Sequence, residues 1–107
     1  MDNDMARVLY CLQHGADRAK TSRWLKEQTG LPNRDIRHAI RELIAEGYPV
    51  ASSSDGWKGG YYIASTKEEA EGCMAETKSR IIELCIRQRD FKRATKSIRE
   101  PGQLPLL

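Results

Sequence analysis

Apolar positions recur through the first half of the chain at three- and four-residue steps, switch to a two-residue step, then return to the helical step. Met5, Val8, Leu9 and Leu12 predict a first helix over residues 4–14, with Gly15 suited to its C-terminal cap. Thr21 or Ser22 supplies a capping hydroxyl for a second helix of about two turns, carrying Trp24, Leu25 and Gln28 and stopped by Thr29-Gly30. After Leu31-Pro32, Asn33 is placed to cap a third helix. Its Ile36, Ala39, Ile40, Leu43 and Ile44 form one apolar stripe up to Gly47, the strongest periodicity in this half.

Tyr48 to Ser52 and Gly60 to Ala64 then read as two strands around a segment rich in turn formers, Ser53 to Gly59, which implies a β-hairpin. Alternation puts Tyr61 and Ile63 on one face and Tyr62 on the other, so Tyr61 and Ile63 are expected to lie on the helices. Ser65-x-x-Glu68 and Thr66-x-x-Glu69 both have capping-box spacing, so a new helix starts there and meets no proline until Pro101. Spanning residues 66–99, it would be about 50 Å long at roughly 1.5 Å per residue. A domain near 100 residues has a radius of gyration of only about 13 Å, so the helix must overhang its head.

Along that helix Ala70, Met74, Thr77, Ile81, Leu84, Gln88, Phe91, Thr95 and Ile98 follow alternating four- and three-residue steps, a heptad seam with polar breaks. The expected division of labour has Ile82, Cys85 and Ile86 covering the hairpin and first helix. The seam, through Met74, Ile81, Leu84, Phe91 and Ile98, then meets a twin helix to form a homodimer. A helix folded back, or broken near Asp90, and packed on its own chain is the alternative, and the spacing leaves parallel and antiparallel pairing open.

The fold class is therefore mainly α with a small β-hairpin: a three-helix head with its hairpin over residues 1–65, a long helix over 66–100 and a tail over 101–107. At 107 residues, 39% hydrophobic and 31% charged, the chain suits one soluble module and leaves no room for a catalytic domain beside a regulatory one. Its apolar runs fall far short of the roughly 20 residues that cross a bilayer, and Met-Asp-Asn-Asp does not resemble an export leader. No membrane partner is expected. Cys11, Cys73 and Cys85 are odd in number, widely spaced and without histidines at zinc-ligand offsets, which favours a reducing cytoplasm and no metal. His14 and His38 fall on different helices, and Gly59-Gly60 lacks the lysine and following helix of a phosphate loop. No catalytic residue and no cofactor are expected.

The net charge of +3, from 18 basic against 15 acidic residues, is too small to demand a polyanion partner. Its distribution matters more, because Arg87, Arg89, Lys92, Arg93, Lys96 and Arg99 face Asp90 alone near the C-terminus. That run is either a solvated helix face or a phosphate-facing one. On the third helix, Arg34, Arg37, His38 and Arg41 lie along one stripe opposite Ile36, Ile40 and Leu43. Guanidinium forks so placed fit the major groove of B-form DNA, where arginine bonds guanine N7 and O6. The plainer reading pairs Arg37 and Arg41 with Asp35, Glu42 or Glu46.

The short helix from Ser22 to Gln28, the Thr29-Gly30-Leu31 turn, the run from Arg34 to Leu43, Glu46-Gly47-Tyr48-Pro49-Val50 and the Gly60-Tyr61-Tyr62-Ile63 strand stand in a characteristic order. Together, from Val8 to Ala64, they resemble the winged helix-turn-helix of bacterial and phage DNA-binding proteins, the type at the N-terminus of the biotin operon repressor. Small phage-encoded members with an added C-terminal helix are also similar. The resemblance covers a little over half the chain. It implies a winged-helix head that binds double-stranded DNA, in replication or transcriptional repression, with the third helix in the major groove. Lys20, Thr21, Ser22 and Arg23 would hold a phosphate at the start of the second helix, beside or instead of plain capping by Thr21 and Ser22. The wing, longer than usual for the type, offers Trp57 and Lys58 to the backbone or minor groove; Asp55 opposes this, and Trp57 folded over the hairpin is the alternative.

After Pro101-Gly102 the chain closes as Gln103-Leu104-Pro105-Leu106-Leu107. This is similar to the Gln-Leu-x-Leu-Phe/Leu peptides through which bacterial replication and repair proteins engage the sliding clamp, with Gln103, Leu104, Leu106 and Leu107 as the contacting residues. A disordered end, or a strip docked on its own helix, is the alternative. The rival to DNA binding as a whole is a protein-protein assembly module that uses the winged helix and the C-terminal helix.

Overall fold

The structure is a computed structural model that describes residues 2–53 and 59–98. In chain order it has α1 (Asn3–Cys11), a 3-10 turn at Ala16–Arg18, α2 (Ser22–Thr29), α3 (Asn33–Ala45), β1 (Val50–Ser53), β2 (Gly60–Ile63), α4 (Lys67–Ala94) and a 3-10 turn at Thr95–Ser97. It is mainly helical, with one two-stranded antiparallel hairpin and a long last helix, as the apolar pattern predicts.

Caps set the boundaries. The Asp2 carboxylate accepts the Met5 amide at 2.8 Å and starts α1, which ends at Cys11, short of the expected residue 14, because Leu12 is already extended. Gly15 does not cap α1; at φ +97° it opens the following 3-10 turn. On α2 the Thr21 hydroxyl accepts the Trp24 amide at 3.1 Å, and Gly30 at φ +74° donates its amide to Lys26 O, as the sequence implies. For α3 the cap position falls to Pro32 rather than Asn33, whose side chain is spared; the Pro32 carbonyl accepts the Asp35 and Ile36 amides.

The head closes on Met5, Val8, Leu12, Leu25, Leu31, Ile36, Ala39, Ile40, Leu43, Val50 and Ile63, with Val8, Leu25, Ile36 and Leu43 wholly enclosed. Burying each of those side chains contributes about 1.5–3 kcal/mol. Ile44, expected in the α3 stripe, is 50% exposed. At 100° per residue it sits about 90° round the helix from the centre of the buried set. Trp24 packs at the edge of the core.

The strands pair Val50 with Ile63, Ala51 with Tyr62, Ser52 with Tyr61 and Ser53 with Gly60. Val50 and Ile63 join the core and Tyr61 packs beside it, but Tyr62 and Ala51 are buried as well. Both faces of the hairpin base are thus buried, not only the one that carries Ile63. Burial follows distance from the head rather than strand face: the base of the hairpin is enclosed on both sides, and its far end is half-exposed. On the edge away from β1, β2 also bonds the α1–α2 connection. The Lys20 and Tyr61 backbones exchange two hydrogen bonds of 2.8 Å, Gly15 donates to Ile63 O, and Ile63 donates to Gln13 O. That third edge, bridged at His14 and Lys20, carries no period-two signal in the sequence.

The chain divides into two compact units, Met1–Cys73 and Met74–Leu107. Helix α4 starts where Thr66 Oγ1 accepts the Glu69 amide at 3.1 Å, so of the two capping-box spacings the Thr66 one is used. The Glu69 carboxylate turns back to accept the Ser65 amide and hydroxyl at 3.0 and 3.1 Å, and reaches the Ala16 amide at 2.6 Å. The helix runs 28 residues, about 42 Å. None of its residues is buried. Ile82, Cys85 and Ile86 are exposed. The helix ends at Ala94 rather than 99, where the Thr95 and Ser97 hydroxyls bond the Lys92 and Ala94 carbonyls and tighten the chain into a 3-10 turn. Thr95 and Ile98 thus fall beyond the α-helical seam. Among the described residues no helix is long and apolar enough to cross a membrane.

Candidate nucleic-acid interface

Helix α3 is anchored on one side by Ile36, Ala39, Ile40 and Leu43, all buried. Taking 100° per residue, Arg34, His38 and Arg41 project within about 30° of the direction opposite that buried set, and Arg37 about 70° from it. All four are exposed. Four anchors over two turns hold the axis of the helix, so the guanidinium stems radiate from a fixed rod.

Two of the nearby carboxylates are engaged. Asp35 lies 3.9 Å from Arg34, and Glu42 accepts from His38 Nε2 at 2.6 Å. Arg37 and Arg41 make no ion pair among the described residues. The plainer expectation, that Arg37 and Arg41 pair with Asp35, Glu42 or Glu46, is not met. Two guanidinium groups therefore stand in solvent with their donor forks open, the state in which arginine meets phosphate or a guanine edge without first breaking a pair.

At the start of α2 the groups are more committed. Thr21 Oγ1 is taken by the Trp24 amide, and the Lys20 ammonium sits 4.9 Å from the centre of the Trp24 ring. Arg23, exposed, lies 3.7 Å from Glu27. Ser22 is half-buried. Thr21 and Ser22 share a cleft of about 260 Å³ with Ser52, Ser53, Gly59, Gly60 and Tyr61. Ser52 and Ser53 were not candidates from sequence; only the strand register and the Lys20–Tyr61 bridge bring them beside α2. Gly60 makes this junction possible, because a Cβ there would lie 2.2 Å from Lys20 O.

A second hollow, about 410 Å³, lies between α1 and the end of α2, lined by Asn3, Ala6, Arg7, Tyr10, Cys11, Gln28 and Thr29. It gathers no acid-base pair or nucleophile dyad. Among the described residues no three His, Cys, Asp or Glu side chains converge as metal ligands. The shifted carboxyl of Glu69 is a fastening point: first the Ser65 amide, then the Ala16 amide, hold it below the ordinary glutamate range. Trp57, Lys58 and the tail residues Gln103, Leu104, Leu106 and Leu107 lie outside the described residues. Set against known proteins, the chain matches no family profile, no curated protein and no solved structure.

Proposed function

We propose that this chain is a non-enzymatic, winged-helix binder of double-stranded DNA, with α3 in the major groove and Arg34, Arg37 and Arg41 directed at base edges. The observation that carries this reading is the pair of open guanidinium groups, Arg37 and Arg41, on a helix locked from behind by four buried side chains. Among the described residues neither is engaged in an ion pair, and a fixed helix axis suits entry into a groove. Lys20, Ser22 and Arg23 supply backbone contacts beside α2, where free amides also favour an anion. The resemblance to phage-type winged helices supports a role in replication or in repression.

The test is a titration with duplex DNA at several salt concentrations. With three to five phosphate contacts, log affinity falls against log salt with a slope of about −3 to −5. Selection from a random duplex pool then enriches a half-site. A flat salt response, with Arg37→Ala and Arg41→Ala without effect, overturns the proposal and leaves a protein-protein assembly module as the reading.

A further inference from the structure

We infer that α4 pairs with α4 of a second copy of this chain in antiparallel orientation, with Ile81 against the partner's Leu84. This goes beyond the DNA reading and holds in the absence of DNA. The first observation is exposure: Met74, Ile81, Leu84 and Phe91, all on the heptad seam, are 56–68% exposed, and Ile82 and Ile86 beside them 50% and 44%. A helix that buries none of these on its own chain leaves an apolar strip of several turns in water, and a seam at alternating three- and four-residue steps is complementary to another such seam.

Charge decides the occupant and its direction. Over residues 67–76 the helix carries Glu68, Glu69, Glu71 and Glu76 against Lys67; over residues 87–96 it carries Arg87, Arg89, Lys92, Arg93 and Lys96 against Asp90. The first third is net negative and the last third net positive. A parallel pair stacks like on like at both ends, whereas an antiparallel pair sets each acidic third against a basic third. In heptad terms, Met74, Ile81 and Gln88 hold one core position and Thr77, Leu84 and Phe91 the other. The antiparallel register that pairs Ile81 with the partner's Leu84 also pairs Met74 with the partner's Phe91 and Thr77 with the partner's Gln88. Large apolar groups thus meet large apolar groups, and the two polar breaks meet each other.

The flanks leave the same preference. Antiparallel pairing brings Arg80 near the partner's Arg87, and parallel pairing brings Arg87 near the partner's Lys92, so each orientation carries one like-charged contact per protomer. Only the antiparallel one adds an opposite-charged contact, Glu71 with the partner's Lys92.

The test uses the full chain with Cys11, Cys73 and Cys85 replaced by alanine, into which Met74→Cys or Phe91→Cys is introduced. Sedimentation equilibrium of the parent gives the mass of two chains. The two variants, unfolded together, refolded and oxidised, form a disulfide-linked dimer that contains one chain of each, and either variant alone remains unlinked. Circular dichroism of each variant verifies that the helices are intact. Self-linkage of each variant alone, a one-chain or larger-than-two-chain mass, or a two-chain mass without the mixed cross-link each overturns the inference.

Discussion

Replacing Gly60 with alanine tests the junction on which the geometry around α2 depends. Gly60 sits at φ +144°, and an added Cβ would lie 2.2 Å from Lys20 O, 2.4 Å from Lys20 C and 2.8 Å from Thr21 N. Every one of these is a backbone atom, so no rotamer change relieves the clash; the α1–α2 connection has to withdraw from β2. Withdrawal breaks the two 2.8 Å hydrogen bonds between Lys20 and Tyr61, a loss of about 1 kcal/mol each. Holding a non-glycine residue at that φ adds about 1–3 kcal/mol. The expected cost is about 3–5 kcal/mol, against a total stability of roughly 4–11 kcal/mol for a head of this size.

Urea unfolding followed by circular dichroism measures the effect. With a slope near 1 kcal/mol/M for a small domain, the midpoint should fall by about 3–5 M. Gly47→Ala is the internal control. Gly47 also has positive φ, +107°, but nothing lies within 4 Å of its added Cβ, so only the same backbone strain of about 1–3 kcal/mol applies. If Gly60→Ala costs no more than Gly47→Ala, the close approach of β2 to Lys20 is wrong, and with it the cleft that joins Ser52 and Ser53 to the start of α2.

Three further outcomes are expected. Arg37→Ala and Arg41→Ala each weaken DNA binding by about 1–3 kcal/mol yet move the urea midpoint little, since both side chains are exposed and form no ion pair among the described residues; an equal loss of folding stability would mark them as structural. Glu69→Gln lowers stability most above the ordinary glutamate range of about pH 4.3, where the native carboxylate is ionised and its depressed pKa contributes. As pH falls below that range through the depressed folded value, the advantage of the parent disappears, so a gap between the two proteins that stays constant on acidification would rule out the Ser65 and Ala16 contacts as its source. Gly72→Ala, on an open helical surface with nothing within 4 Å, strengthens α4 by about 0.5–1 kcal/mol, read as a higher thermal midpoint of the helical signal; a decrease would reveal a close neighbour at that position.

Local rules made much of the framework legible. Thr21 and Gly30 bracket α2 because a hydroxyl that accepts a first-turn amide and a residue free to adopt positive φ are chemical requirements of helix ends. The stripe of Ile36, Ala39, Ile40 and Leu43 is readable at the helical period and is the stripe that is buried. The same period set Arg34, His38 and Arg41 opposite that stripe. Reading failed at element ends and at second faces. Thr95 and Ser97 turn their hydroxyls back on the helix and shorten α4, a choice that competes locally with helix continuation and leaves no periodic trace. Tyr62 alternates away from Ile63, but enclosure of the hairpin base is a property of the neighbours and not of the strand.

What the sequence alone determined is whatever depends on contacts within a few residues: helix identity, the caps of α2, the hairpin, the side of α3 on which its cations stand. Tertiary structure decided which groups far apart in the chain share space. It placed Lys20 against Tyr61, brought the Glu69 carboxylate to Ala16, and left the seam of α4 exposed. Backbone pairing across distant segments follows from how the core closes, and amides and carbonyls are identical at every residue, so no side-chain pattern records which of them will meet.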